Sequence, residues 1–144
     1  MKTMEEEKEN INMDYSSLIL MERDAETGFV TKELGSYQVS IEAEYVKGFY
    51  VKGENVYLKF DTNKDVEEWE YSAIYDVFNY SIFEEEGFKI EDVDDEYNPT
   101  FLITFKYEDE HQYINEKLSL ALELIHEAME KAFKDIEGKE EEYK

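Results

Sequence analysis

Alternation of apolar and polar residues is the clearest pattern in this chain of 144 residues. Between Tyr37 and Tyr45 every second residue is apolar or aromatic, and polar residues stand between them. A period of two predicts a half-buried β-strand. Similar apolar runs, bounded by turn residues, predict five further strands at 18–23, 29–34, 56–60, 88–90 and 101–107.

Two stretches follow the helical period instead. Asp65 and Glu68 have the spacing of a capping box at the start of a helix predicted over 66–79. The inward stripe of this helix consists of Val66, Trp69, Ala73 and Val77. A longer helix is predicted over 112–136, with a stripe formed by Ile114, Leu118, Ala121, Leu122, Ile125, Met129, Ala132 and Ile136.

The predicted element order is therefore ββββαββα. Short connections favour antiparallel neighbours, so we expect an α+β fold in which an antiparallel sheet of about six strands carries two helices on one face. The other sheet face would be polar. We expect a disordered acidic N-terminus over 1–12, one domain over 13–138 and a charged C-terminal tail over 139–144. Met13 is an alternative start.

Composition narrows the classes of partner. The net charge is −23, from 38 acidic and 15 basic residues. Direct binding to nucleic acid or to an anionic membrane is therefore not expected. Hydrophobic residues make up 42% of the chain and there is no cysteine, which indicates a folded domain without disulfides or thiolate chemistry. Without a signal peptide or a membrane-spanning run, a cytoplasmic location is expected.

Three segments, "ELGSYQVS", "DVEEWEYSAIYDVFN" and "DDEYNPTF", together resemble a family of small acidic bacterial proteins known only as a domain of unknown function. The resemblance covers most of the chain from Met13 onward. It implies no activity, because the family has none to transfer, and it therefore adds no catalytic residue, cofactor or ligand.

The residue patterns also predict no enzyme. His111 and His126 lie fifteen residues apart, about 22 Å if one helix holds both, so they do not serve one site. Glu123 and His126 have a di-iron spacing, but the four-helix context is missing. Nucleophile elbows and glycine-rich phosphate loops are absent from the sequence. No cofactor is expected, and a pair of acid/base carboxylates stays an open alternative.

The acidic run at 92–96 resembles the start of a calcium loop. An EF-hand needs glycine at its sixth position and glutamate at its twelfth, and these positions hold Tyr97 and Ile103. Two interpretations remain open: a hairpin that binds divalent cations, and a solvated hairpin whose like charges keep the sheet edge from pairing.

Aromatic residues give the functional hypothesis. At 100° per residue Tyr71, Tyr75 and Phe78 fall on a side of the first helix away from its main stripe. They form either a contact surface or a cluster covered by residues 82, 83 and 88. We predict a non-enzymatic protein-interaction module for a basic protein or for self-association, with a DNA-mimic-like inhibitor and a divalent-cation binder as alternatives. The predicted partner-binding residues are Tyr71, Tyr75, Phe78, Asp92, Asp94, Asp95 and Glu96.

Overall fold

The computed structural model describes residues 15–143, apart from the side chains of Tyr15, Ile41 and Glu42. The N-terminus predicted over 1–12 lies outside the described residues. The strands are β1 (Tyr15–Arg23), β2 (Val30–Ser40), β3 (Val46–Lys52), β4 (Asn55–Asp61), β5 (Lys89–Val93) and β6 (Thr100–Lys106). The α-helices are α1 (Glu68–Val77), α2 (Ser81–Glu84) and α3 (His111–Ile136), and 3-10 turns span Ile41–Tyr45 and Glu140–Tyr143.

The six strands form one sheet in the order β2-β1-β3-β4-β6-β5. Every neighbouring pair is antiparallel except β1 and β3, which run parallel. The predicted α+β class with a six-stranded sheet is therefore confirmed, with one parallel pair that the sequence analysis did not anticipate. This pair arises because the chain leaves β2 at the sheet edge and re-enters on the far side of β1, through the 3-10 turn Ile41–Tyr45.

The strand predictions contain two errors that leave the total of six strands unchanged: two predicted strands are one, and one strand was not predicted. The strands predicted at 29–34 and 37–45 are largely one strand, β2, whose pairing with β1 shifts register near Gly35. The alternation after Ser40 belongs to the 3-10 turn. Residues 46–52, where no strand was predicted, form β3. Its pairing with β4 is irregular between Val46 and Gly48, and Gly53 takes a positive φ at the two-residue hairpin turn into β4.

The helices differ from prediction mainly at α1. The helix predicted over 66–79 spans Glu68–Val77, and a separate turn of helix, α2, follows it. The N-cap of α1 is Glu67 rather than Asp65, and the Glu67 backbone amide donates to the Glu70 carboxylate at 2.7 Å. The long helix is confirmed, because α3 begins one residue before the predicted start and buries the predicted stripe.

The core lies between the helices and one face of the sheet. Alternate residues of β3, β4 and β6 are buried, and they meet the stripe of α3 in a single apolar cluster. On the opposite face, expected to be polar, Tyr50, Tyr57 and Leu102 are half-buried between charged residues. None of the helices within residues 15–143 covers that face.

The predicted C-terminal tail, 139–144, packs against α1 over its described part. Glu140–Tyr143 form a 3-10 turn, and the Tyr143 hydroxyl donates to Asp76 at 2.9 Å. The Tyr143 ring centroid lies 6.5 Å from that of Trp69. Two aromatic side chains thus hold the end of the chain on the first helix.

Candidate functional site

The connection between β5 and β6, residues 94–99, is the acidic loop, and α1 stands beside it. It contains Asp94, Asp95 and Glu96, which are exposed, and ends at the buried Pro99. Asp95 takes a left-handed conformation with φ 71°. Short polar side chains tolerate this region better than others, which suits aspartate to the tight reversal.

Tyr75 anchors the end of this loop. Its hydroxyl accepts the Thr100 amide at 2.8 Å and donates toward the Thr100 carbonyl at 3.1 Å, with the Val93 carbonyl 3.4 Å away. Thr100 is 2% exposed, so water does not replace these bonds. Burial raises the pKa of the Tyr75 phenol above its ordinary value, and the hydroxyl keeps its proton at neutral pH.

Tyr71 anchors the middle of the loop. Its hydroxyl donates to the Glu96 carbonyl at 3.1 Å, and its ring packs edge-on against Tyr75 at 5.4 Å. The Lys59 ammonium meets the Glu96 carboxylate at 3.1 Å, and the Asn98 amide donates to Asp65 at 3.3 Å. The acidic loop is therefore held at Glu96 and at Asn98, and the strand that follows it is held at Thr100.

Phe78 is part of the core and does not contribute to a contact surface. Its ring is 5% exposed and stacks on Phe101 at 4.1 Å, with an interplanar angle of 17°. The ring of Phe83 also stacks on the ring of Phe78, with 5.8 Å between the centroids. The hypothesis needed an exposed Phe78, and it was wrong for this residue because α1 ends at Val77 and the extended backbone of Phe78 directs its ring inward.

The four acidic residues of the predicted site divide between two environments. Asp92 lies on β5 and accepts a 2.5 Å hydrogen bond from Tyr80, whose pKa is raised by burial and then by this carboxylate. Glu96 is engaged with Lys59. Asp94 and Asp95 project from the loop. The structure brings Tyr71, Tyr75 and this loop together, and their role in binding stays a prediction.

Tyr97 is the residue that sequence reasoning missed. Its side chain is 78% exposed, the highest fraction of any large hydrophobic residue among those described. In the sequence, Tyr97 was noted only as the residue that breaks the calcium-loop pattern. An aromatic side chain between carboxylates and Asn-Pro in a turn was the available signal, because turn residues point outward more often than strand residues.

The two histidines share α3 and make separate contacts. His111 stacks on Tyr37 at 4.3 Å and places Nε2 3.2 Å from the Ser36 carbonyl. His126 lies 3.3 Å from Glu130. In the part of the chain that the structure describes, no three acidic or histidine side chains converge as ligands for a metal ion.

A shallow groove of about 460 Å³ lies between the first 3-10 turn and the end of α3. It is lined on one side by Tyr45 and Thr62 and on the other by Phe133. Its lining also includes carboxylates and ammonium groups, from Glu44, Lys64, Glu130, Lys134 and Glu137. Oppositely charged groups at the same rim neutralise one another, so this groove offers no clear charge to a ligand.

The fold and the loop define a class: an open-faced α+β sheet with a rigid, charged connection at one end. A family model described as a family of unknown function, DUF6762, matches residues 13–144. The chain belongs to this family. Neither the curated proteins nor the solved structures gave a match. Within residues 15–143, no helix combines the length and the apolar character needed to cross a membrane.

Proposed function

We propose that this protein is a non-enzymatic protein-interaction module that binds a basic partner through the acidic loop. The observation that supports the proposal is that the backbone of this loop is anchored while one of its aromatic side chains is exposed. Its backbone is anchored by the hydroxyls of Tyr71 and Tyr75, while the ring of Tyr97 is 78% exposed. A rigid loop loses little conformational entropy when it binds, so its contacts yield more affinity.

The chemistry of the loop suits a basic partner. Tyrosine is among the residues that dominate binding energy at interfaces, since it buries a large rigid surface and keeps a polar end. Asp94 and Asp95 precede Tyr97 in the same exposed loop and would meet lysine or arginine at the rim. The net charge of −23 would speed the arrival of a basic partner more than it would tighten the complex.

This proposal changes the roles of the residues expected from sequence. Tyr71 and Tyr75 position the loop, Tyr97 makes the central contact, and Asp94 and Asp95 form the rim. Asp92 and Glu96 act within the protein, on Tyr80 and Lys59. The DNA-mimic alternative is a special case of the same binding mode and stays a prediction.

A selection of random 12-residue peptides on the immobilised protein tests the proposal. We expect one group of selected peptides to be rich in lysine and arginine. Binding of these peptides should weaken at least ten-fold on Tyr97→Ala, and it should persist in Phe29→Ala, which removes an aromatic ring that is 74% exposed elsewhere.

Charge is tested by a matched pair of double variants. Asp94→Asn with Asp95→Asn should weaken basic peptides, while Glu84→Gln with Glu85→Gln removes the same charge from exposed positions near α2 and should have less effect. Equal losses in both variants, or unchanged binding in Tyr97→Ala, would contradict recognition by the acidic loop.

A further inference from the structure

The sheet face without helices carries two rows of side chains that cross the strands. Residues paired directly across neighbouring strands lie on the same face. One row consists of Met21, Tyr50, Tyr57, Thr104 and Lys89. The adjacent row consists of Arg23, Lys52, Asn55 and Lys106, and we call it the cationic row.

Charge on this face opposes the charge of the chain. The strand pairings place five of the 15 basic residues here: Arg23, Lys52, Lys59, Lys89 and Lys106. Of the 38 acidic residues, the same pairings place three here, Glu33, Asp61 and Glu91. Among the paired strand positions of this face, basic residues therefore outnumber acidic ones, although acidic residues outnumber basic ones more than two-fold overall. From the acidic loop, Glu96 also reaches this face and pairs with Lys59.

Aromatic rings hold two members of the cationic row, Arg23 and Lys52, in place. The Arg23 guanidinium lies 4.2 Å from the ring centroid of Tyr50, and Tyr50 stacks on Tyr57 at 5.3 Å. The Lys52 ammonium lies 5.7 Å from the Tyr57 centroid. Among the described residues, Lys59 pairs with Glu96, whereas no carboxylate forms an ion pair with Arg23, Lys52 or Lys106. Arg23 and Lys52 are therefore held against aromatic rings, and these two cations and Lys106 keep their charge available.

Exposed aliphatic side chains border the row. Val30, directly opposite Arg23 on β2, is 54% exposed, and Ile19, two residues before Met21 on the same face of β1, is 46% exposed. At the other end lies an open groove of about 500 Å³, whose lining includes the cations Lys52 and Lys106 and one carboxylate, Glu54. Apolar and cationic contacts therefore stand side by side.

We infer that this face docks an extended acidic segment of a partner protein that also bears aliphatic side chains. From Arg23 to Lys106 the cationic row crosses three strand spacings, about 14 Å, which is the length of roughly four extended residues. Carboxylates of the segment would meet Arg23, Lys52 and Lys106, and an aliphatic side chain would cover Ile19 or Val30. Arginine suits this role because its planar group binds carboxylates through two hydrogen bonds.

Two other occupants fit the face less well. Single-stranded nucleic acid needs open ring faces for base stacking, but Tyr50 lies between Tyr57 and the Arg23 guanidinium. A second copy of this chain would bring a further net charge of −23. A short acidic segment brings only a few charges, so it meets less long-range repulsion. The inference does not rest on the acidic loop, and either surface can bind without the other.

The peptide selection described above also tests this face, through a second group of selected peptides. We expect that group to combine aspartate or glutamate with aliphatic residues. In a fluorescence anisotropy titration, Arg23→Gln with Lys52→Gln and Lys106→Gln should weaken a selected acidic peptide at least ten-fold. Lys131→Gln with Lys134→Gln and Lys139→Gln removes the same charge from the helical side and should leave its affinity within two-fold.

Each outcome decides the inference. The inference is supported if the affinity for acidic peptides falls only in the first triple variant and the melting temperature of that variant is unchanged. Absence of acidic peptides from the selection, or equal losses in both triple variants, overturns it. Tighter binding of a twelve-residue oligothymidylate, or a dimer in sedimentation velocity that the first variant abolishes, would replace the acidic segment with another occupant. Basic peptides lost in Tyr97→Ala report on the acidic loop separately.

Discussion

Replacement of Tyr75 by phenylalanine removes one oxygen and leaves the ring in place. The lost hydroxyl accepts the Thr100 amide at 2.8 Å and donates toward the Thr100 carbonyl at 3.1 Å. Thr100 is 2% exposed, so its amide would remain without this partner in a site that excludes water. A buried donor without a partner costs about 1–3 kcal/mol.

We therefore expect Tyr75→Phe to lower the free energy of unfolding by about 2 kcal/mol, within this range. For a domain of this size that corresponds to a fall in Tm of roughly 4–8 °C. Urea unfolding followed by circular dichroism measures the loss. Hydrogen exchange should also accelerate at the Thr100 amide and through residues 94–98, since the loop loses its anchor.

Tyr97→Phe is the matched control. It removes the same atom from a side chain that is 78% exposed, and its effect should stay within about 0.5 kcal/mol. The reasoning fails if the two variants unfold at the same urea concentration. It also fails if Tyr75→Phe is destabilised while exchange at Thr100 is unchanged, because the loss would then arise elsewhere.

Three other aromatic contacts give predictions of the same kind. Phe78→Ala should cost about 3–5 kcal/mol because it opens a cavity among stacked rings, and urea unfolding would contradict the burial of Phe78 if the cost were below about 1 kcal/mol. Burial raises the pKa of the phenols of Tyr75 and Tyr80, so their contribution to stability is complete below about pH 10 and declines above it. Between about pH 8 and pH 11 the free energy of unfolding should fall less steeply with pH in the double variant Tyr75→Phe with Tyr80→Phe than in the unmodified protein. Equal slopes would refute the role of these two phenols in the pH dependence. Tyr143→Ala should shift the emission of Trp69, the single tryptophan, to longer wavelength, and an unchanged spectrum would show that the C-terminal turn does not shield that ring.

Local periodicity was sufficient to predict the fold class. Alternation identified β4 and β6, and the 3.6-residue stripe identified α3 to within one residue. It failed between Ser40 and Lys52, where the chain crosses from the edge strand to the far side of β1. That crossing is imposed by the order of strands in the sheet. The order depends on contacts between residues distant in sequence, which a period does not encode.

The candidate site shows the same limit at finer scale. A helical wheel set Tyr71 and Tyr75 apart from the predicted stripe of α1, but it left out of that stripe Ile74, one of the two buried residues of the helix. It extended the helix through Phe78, although the helix ends at Val77 and the extended backbone that follows places that ring in the core. A wheel gives the direction of each side chain but not what the side chain contacts. It therefore did not distinguish tyrosines that anchor a loop of the same chain from tyrosines that bind another protein.

Salt provides a test that separates the two proposed surfaces. At an ionic strength of 0.01 M the Debye length is about 30 Å, so a ligand at either surface senses the whole net charge of −23. An acidic segment is then repelled despite the cationic row. At about 0.15 M the Debye length falls to about 8 Å, and the segment interacts mainly with Arg23, Lys52 and Lys106. At about 1 M these local contacts are screened as well.

Affinity for an acidic peptide should therefore pass through a maximum near physiological salt, whereas affinity for a basic peptide should fall throughout. Fluorescence anisotropy titrations at salt concentrations from roughly 0.01 M to about 1 M measure how the affinity of each peptide depends on salt. In the triple variant of the cationic row the maximum should disappear, because no local attraction remains when the repulsion is screened. A steady fall for the acidic peptide on the unmodified protein would mean that attraction dominates at all distances, which the net charge of the chain does not allow.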